Sequence, residues 1–399
     1  MKLLVVVGAR PNFMKVAPIL KAVRQFNASR GQWAGAVQTV LVHTGQHYDA
    51  RMSDAFFADL DLPNPDVFLG AGSGSHAAQT AEVMRRFEPV LLRELPQVLV
   101  VVGDVNSTLA CAVVASKLPA KTRPLVAHVE AGLRSFDRSM PEEINRLLTD
   151  QISDFLFVTE KSAIRNLMAE GIPASRIYFV GNTMIDSLYE YTTKADASHV
   201  LGQYALKPRS YALLTLHRPG NVDAKENFSE ILAGLTELAQ SCRVIFPAHP
   251  RTGLKIEELG LASHFCPPGA PSGIQIIAPQ SYINFLCLMK NARIVVTDSG
   301  GIQEETTALG IPCVTLRDNT ERPVTIDFGT NALATTRASV IRKTIQKQLA
   351  LRNAGKIPEL WDGRAAARIV GILAERLMTS LPTAALASAG VAQIQPNAR

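Results

Sequence analysis

The chain has little of what would place it in several large classes. Its 399 residues include five cysteines, Cys111, Cys242, Cys266, Cys287 and Cys313, with no CxxC pair and no histidine-rich segment beside them. That spacing argues against a zinc ribbon and against a disulfide framework, and an odd number of thiols in apolar runs fits a reducing compartment. Charged residues make up 19% of the chain, below the roughly 25% of an average globular protein, while 47% is hydrophobic, which excludes a disordered or fibrous chain. No segment reaches the roughly 18 unbroken apolar residues of a membrane span. The start, MKLLVVVGARPNF, has only five apolar residues before Gly8, too few for a signal-peptide core. A cytoplasmic protein without a membrane partner is expected.

Charge is also short of a pattern. Forty-one Lys and Arg against 35 Asp and Glu leave +6, but the basic residues are scattered with acids between them. Nucleic-acid binders usually gather such residues into a stripe, so no nucleic-acid partner is expected and a small anionic ligand fits the excess better. A GxGxxG fingerprint with an acid closing the second strand is missing as well, which disfavours a nicotinamide cofactor.

What is present is a repeated grammar of short apolar runs and helical stretches. Strands are expected at 3–7, 37–43, 98–102, 125–129, 155–158 and 177–180, with helices at 15–26, 79–94, 107–117 and 142–152. Runs of Val, Leu and Ile that do not alternate belong to parallel sheets covered on both faces. After a polar stretch at 194–208 the pattern restarts, with strands at 212–216, 244–247, 274–277, 294–297 and 313–316 and helices near 226–239, 282–290 and 301–309. The fold class is therefore α/β, two doubly wound domains in tandem, with a last helix at 363–378 and a tail beyond it that reads as disordered. Ligands of such sheets bind beyond the carboxyl ends of the strands, so functional residues should directly follow strands.

Several do. Gly8-Ala9-Arg10, with Lys15 close behind, can hold a phosphate through amides, a helix dipole and cations, or can be a solvated loop. His43 and His47 sit at a strand end rather than on a helix face, so loop structure or sugar contact outranks a metal. Asp104 and Glu130 close two neighbouring strands, and Glu142 and Glu143 follow Pro141 at a helix start. Asp104 could simply cap a helix, and the helix dipole could account for one of the latter pair. Three sources of carboxylate at one sheet edge nevertheless suit acid/base chemistry. In the second half, His217 and Arg218 follow a strand. Ser299-Gly300-Gly301 opens a helix with successive amides available to a phosphate, and Glu305, one turn on, can bind a diol such as ribose. Arg317 and Arg322 add positive charge.

These segments, GARPNFMK, HTGQHYD, GDVNSTLA, HVEAGLRSFDRSMPEEINR, GNTMID, LHRPGNVD, DSGGIQEE and TERP, resemble in order those of the non-hydrolysing UDP-N-acetylglucosamine 2-epimerases, from about residue 1 to about residue 377. The resemblance implies a two-domain glycosyltransferase B fold. Residues 1–180 would carry the catalytic carboxylates, 181–361 the UDP site, 362–379 a helix crossing back, and 380–399 a disordered tail. It also implies a homodimer that uses neither metal nor cofactor and interconverts UDP-GlcNAc and UDP-ManNAc for cell-surface polysaccharide synthesis. By motif position, Asp104, Glu130, Glu142 and His217 match the catalytic residues. Arg10, Lys15, Gln280, Phe285, Ser299, Gly300, Gly301, Glu305 and Arg322 match UDP contacts.

The segment from Arg134 to Glu142 is two residues shorter than in the common form, HRPGN stands for HRREN, and Asp49 stands where members with a second, activating UDP-GlcNAc site carry Gln. The short form also resembles relatives acting on UDP-2,3-diacetamido glucuronic acid. A sugar transferase, a hydrolysing epimerase and a silent nucleotide-sugar sensor are the more distant alternatives.

Overall fold

The computed structural model describes residues 1–30, 36–46, 62–351 and 355–379; the side chains of Arg10, Arg30, Met378 and Thr379 lie outside that description, as do His47, Asp49 and the tail. Two parallel sheets organise it. The first runs in the order β3-β2-β1-β4-β5-β6-β7, and the second β10-β9-β8-β11-β12-β13. In the first, β1 (Lys2–Val7), β2 (Gln38–His43), β4 (Val98–Val102), β5 (Leu125–Val129), β6 (Phe155–Val158) and β7 (Ile177–Phe179) lie where the apolar runs put them. The same holds for β8 (Tyr211–Thr215), β9 (Arg243–Pro247), β10 (Gly273–Ile277), β11 (Ile294–Thr297) and β12 (Cys313–Leu316) of the second. Two edge strands escaped the pattern: β3 (Val67–Phe68) has two residues and β13 (Asn331–Ala334) reads NALA, neither long nor β-branched enough to announce itself. All five residues of β4, VLVVV, are buried, as expected of a strand with helices over both faces.

Both sheets reverse their strand order beside the first strand of the half, between β1 and β4 and between β8 and β11. A crevice opens at such a switch point because the flanking connections leave in opposite directions. Helices Arg10–Arg30, Asn106–Lys117 and Gly300–Leu309 follow β1, β4 and β11, Pro141–Ile152 follows the neighbouring β5, and all four start on the carboxyl-end side of the strands. The expected helix at 226–239 is instead two, Lys225–Gly234 and Thr236–Ser241, meeting at the buried Leu235. Helices Lys161–Ala169, Thr183–Asp196, Pro250–Glu258 and Ala338–Ala350 were not anticipated.

The two halves are tied at one corner. Helix Ala365–Thr379 packs on helices Arg10–Arg30 and Thr183–Asp196, and Asp186 caps it by accepting from the amides of Ala365 (3.1 Å) and Ala366 (2.7 Å). Trp361 is buried, and its indole N–H donates to the Thr159 carbonyl at 3.0 Å. Gly181 makes the crossing possible: its φ is +88°, and a Cβ there would stand 2.0 Å from the Leu360 carbonyl oxygen.

Gly181→Ala is therefore expected to lower stability by about 2 kcal/mol or more, combining the left-handed backbone with that clash. Gly202→Ala, where a Cβ meets nothing within 4 Å, should stay within about 0.5 kcal/mol. Urea midpoints of the two variants check this, and equal midpoints would show that the crossing does not need a glycine at 181.

Candidate functional site

In the first half the turns after β1, β4 and β5 are built as one unit. Asn12 accepts from the amides of Gly8 (3.2 Å) and Ala9 (3.0 Å) and donates to the Val102 carbonyl (3.0 Å), so the turn after β1 is fastened to the end of β4. Lys15 lies one turn into the helix with its Nζ 2.8 Å from both carboxylate oxygens of Glu130. Glu130 has φ +72°, a left-handed conformation that costs a non-glycine residue about 1 kcal/mol or more. Backbone bonds hold it there, with the amides of Glu130 and Ala131 both donating to the Phe157 carbonyl at 3.0 and 3.1 Å. The buried His128 lies beneath these turns, its Nδ1 2.7 Å from Asp150 and its Nε2 2.8 Å from the Gly103 carbonyl. Asp150 also accepts from the Gly132 amide (3.0 Å) and from Arg134 (2.6 Å).

Asp104 does not cap its helix, whose N-cap is Val105 without a side-chain bond. It takes instead two bonds from Arg146, from Nη2 at 2.6 Å and Nε at 3.1 Å. Burial alone would raise the Asp104 carboxyl, but Arg146, Lys15 and Arg322 outweigh it and hold the group below the usual carboxylate range. Of the two acids at the Pro141 helix start, Glu143 is the one in this cluster. It accepts from the amides of Ser135 and Phe136 at 3.0 Å each and from Arg146 at 2.7 Å, so it shapes the turn. Glu142 is half-buried and lines a neighbouring cavity with His217.

In the second half the key acid is Asp298, which is fully buried. It accepts from the amides of His217 (3.1 Å) and Arg218 (2.9 Å) and from Asn221 (3.0 Å), and lies 2.6 Å from His217 Nδ1. Burial would raise its carboxyl, yet these donors outweigh the burial and keep it low and ionised. An ionised carboxylate can only accept, so Nδ1 donates and the other ring nitrogen of His217 is left for a ligand. Ser299 opens helix Gly300–Leu309 without capping it, which leaves the first-turn amides available to an anion. The absence of a side chain at Gly300 is required: a Cβ would be 2.7 Å from Arg322 Nη1.

Arg322 joins the halves. Its Nη2 is 3.1 Å from Glu130 across the cleft, its Nε is 2.9 Å from Glu304, and its Nη1 pairs with Glu321. Glu321 also pairs with Arg317 at 2.8 Å and lies 3.8 Å from Arg146. Lys15 and Arg322, which by motif position match UDP contacts, thus each contact a carboxylate directly. Burial pushes Glu160, Glu304 and Glu305 up to about 7 each.

Two cavities meet at His217. One, about 590 Å³, is lined by Gln280, Phe285, Ser299, Gly301 and Glu305, together with Tyr282, whose hydroxyl bonds Glu305 at 2.9 Å. An aromatic wall, an amide and a buried acid suit a nucleoside base and diol. The other, about 490 Å³, is lined by Glu142, Arg218 and Arg317. Of the residues singled out in the sequence, Asp104, Glu130, Lys15 and Arg322 share one charge cluster, and the nucleoside set shares one cavity. The Arg10 side chain lies outside the description. Arg146, Asp298, Glu304 and Glu321 were not singled out, although each stands within a motif that was.

The chain is similar to known proteins along most of its length. A family model described as UDP-N-acetylglucosamine 2-epimerase matches residues 31–374. The UDP-N-acetylglucosamine 2-epimerase of Methanocaldococcus jannaschii is 42% identical over 378 residues, 94% of this chain and 99% of that protein. The UDP-2,3-diacetamido-2,3-dideoxy-D-glucuronate 2-epimerase of Pseudomonas aeruginosa is 38% identical over 380 residues, 94% and 100% of the two chains. The crystal structure of the Methanocaldococcus enzyme in complex with UDP-GlcNAc and UDP superposes with a TM-score of 0.83, covering 94% of this chain and 100% of that one.

The acids that burial raises, Glu160, Glu304 and Glu305, take stability away as pH rises. Glu305 ionises near 4.5 when unfolded and near 7 when folded, so its contribution is complete below about 4.5 and is lost as pH rises through 7. Glu305→Gln should remove roughly 2–3 kcal/mol of that decline. Urea unfolding at pH 5 and pH 8 measures it, and parallel declines in variant and parent would refute the assignment.

Proposed function

We propose, for a chain that belongs to the UDP-N-acetylglucosamine 2-epimerase family, that it inverts carbon 2 of UDP-N-acetylglucosamine to give UDP-N-acetylmannosamine. The route is elimination of UDP to a bound glycal followed by re-addition. The observation that carries this reading is the cluster of Asp104 and Glu130 with Lys15 and Arg322, set beside an uncapped helix N-terminus.

The hydrogen on carbon 2 is not acidified by a carbonyl, so the bond from carbon 1 to the diphosphate must break with help. The amides of Gly300 and Gly301, with Arg322 and His217, would take up the charge growing on the leaving diphosphate. Carboxylates facing the sugar would offset positive charge at carbon 1 and carry the proton. Uridine fits the larger cavity, with Phe285 along the base and Glu305 at the ribose. No protein nucleophile is required, because the diphosphate leaves and returns as the same group. Glu142 and His217 stand together beyond the diphosphate, where the sugar end of the ligand would reach. We further propose that the enzyme works in the cytoplasm as a homodimer and serves cell-surface polysaccharide synthesis.

A second reading has one observation in its favour. Arg218 and Arg317 both line the smaller cavity, and a sugar carrying a carboxylate at carbon 6, as a diacetamido glucuronate does, would meet them there.

Purified protein incubated with UDP-GlcNAc in deuterium oxide should place deuterium at carbon 2 and form UDP-ManNAc. Glu130→Gln should lose about 100- to 10,000-fold in kcat while UDP still binds. No deuterium at carbon 2 with either UDP-GlcNAc or the UDP-diacetamido uronate ends the epimerase reading. Exchange with the uronate alone selects the second substrate, and free ManNAc would indicate hydrolysis.

A further inference from the structure

The two carboxylates of the charge cluster, Asp104 and Glu130, are held differently. Glu130 has Lys15 2.8 Å from both of its oxygens and Arg322 3.1 Å from one of them. Asp104 has both of its close donors on a single oxygen: Arg146 Nη2 and Nε both bond Oδ2, and no described residue bonds Oδ1. Asp104 is also the more open of the pair, its side chain 21% exposed against 4% for Glu130. Arg146 itself is 97% buried, and its remaining nitrogen, Nη1, is anchored by Glu143 at 2.7 Å. Glu143 in turn is fixed by the backbone of Ser135 and Phe136.

Resting on the epimerase reading, we infer that Arg146 is a positioning residue that keeps Asp104 ionised with Oδ1 aimed into the cleft, so that Asp104 is the base for the epimer whose C2–H faces it. The step balances within the site. The C2–H bond breaks, Oδ1 takes the proton, its electron pair becomes the carbon 1–carbon 2 double bond, and the carbon 1–oxygen pair departs with UDP. In the reverse direction the same oxygen returns the proton to the same face, by microscopic reversibility, and the opposite face belongs to another group. A guanidinium suits the task because its planar fork fixes direction as well as charge, which an ammonium does not.

Asp104 has other charged neighbours. Lys15 from helix Arg10–Arg30 and Arg322 from the turn after β12 attract the same proton-free form, while Glu321 from that turn opposes it. Glu130 shares Lys15 and Arg322 with it. Among the described residues the fork from Arg146 is the one contact of hydrogen-bonding length to the carboxylate, and removing a cation at that distance typically raises a carboxyl by about 1–3 pH units.

The test follows Asp104 directly, by ¹³C NMR of protein labelled at aspartate Cγ, with Asp104→Asn identifying the signal. In the parent, Asp104 should titrate below the ordinary carboxylate range near 3.9. In Arg146→Gln it should rise by about one unit or more, and the acidic limb of kcat/KM for one of the two UDP-sugars should rise with it. In Arg146→Lys the titration should stay near the parental value while kcat falls about tenfold, because charge is kept and the fork is lost. An ordinary titration in the parent, or one unmoved in Arg146→Gln, overturns the inference even if kcat falls. If Arg146→Gln fails to fold by circular dichroism, the parent and Arg146→Lys titrations decide it. The NMR result does not depend on turnover, so a parent inactive on both UDP-sugars would sink the epimerase reading separately.

Discussion

Everything at the cleft depends on Glu130 being held between Lys15 of its own domain and Arg322 of the other. All three side chains are nearly fully buried. A buried ion without a partner costs several kcal/mol, and a carboxylate between two cations avoids that cost only while both stay in place. Neither half completes its charge set alone. Lys15, Asp104, Glu143 and Arg146 come from the first sheet's connections, Glu304, Glu321, Arg317 and Arg322 from the second's, and the contacts of Arg322 with Glu130 and Arg146 with Glu321 cross between them. The same closeness explains the raised acids. Burial raises Glu160 and Glu304 most, the charge of Glu304 on Glu160 and of Glu130 on Glu304 adds to it, and Arg322 works against it in both, leaving each near 7.

The cost of this arrangement is met by rigidity beneath it. Glu130 sits in a left-handed backbone, and the Gly103 turn that delivers Asp104 is left-handed too. The His128–Asp150 pair ties these turns together from below, one ring nitrogen on the Gly103 carbonyl and the carboxylate on the Gly132 amide. Two carboxylates on separate strands, Asp104 and Glu130, thereby share one support. Strain near a reacting group persists only where the surroundings over-determine it, and here they do so through four backbone contacts.

Much of the fold was legible from the chain because buried parallel strands read as unbroken Val, Leu and Ile, and β4, β5, β6, β11 and β12 fall within the apolar runs residue for residue. The misses have physical reasons. β13 is short and NALA holds no β-branched residue, so it carries no strand signature, and the helix breaks at Leu235 directly after Gly234, where a Cβ would stand 2.8 Å from Ile341. At the site, the position of a carboxylate after a strand was readable, but its partner was not. Asp104 suggested a helix cap and bonds Arg146 from 42 residues away. Glu142 and Glu143 are adjacent in one motif, and only the turn of the helix decides that Glu143 enters the cluster while Glu142 faces the second cavity.

What the sequence determined by itself was the class of fold, the strand ends where chemistry sits and the kinds of group present, because apolar periodicity and glycine turns are local properties of the chain. What only the tertiary structure decided was which charges meet. Arg322 reaching Glu130 from 192 positions away depends on the turns of the two sheets meeting at the cleft, and Asp298 orienting His217 from 81 depends on β8 and β11 pairing within the second sheet. Once water is excluded, a charge takes its state from whichever groups are nearest in space, and distance along the chain carries no record of that.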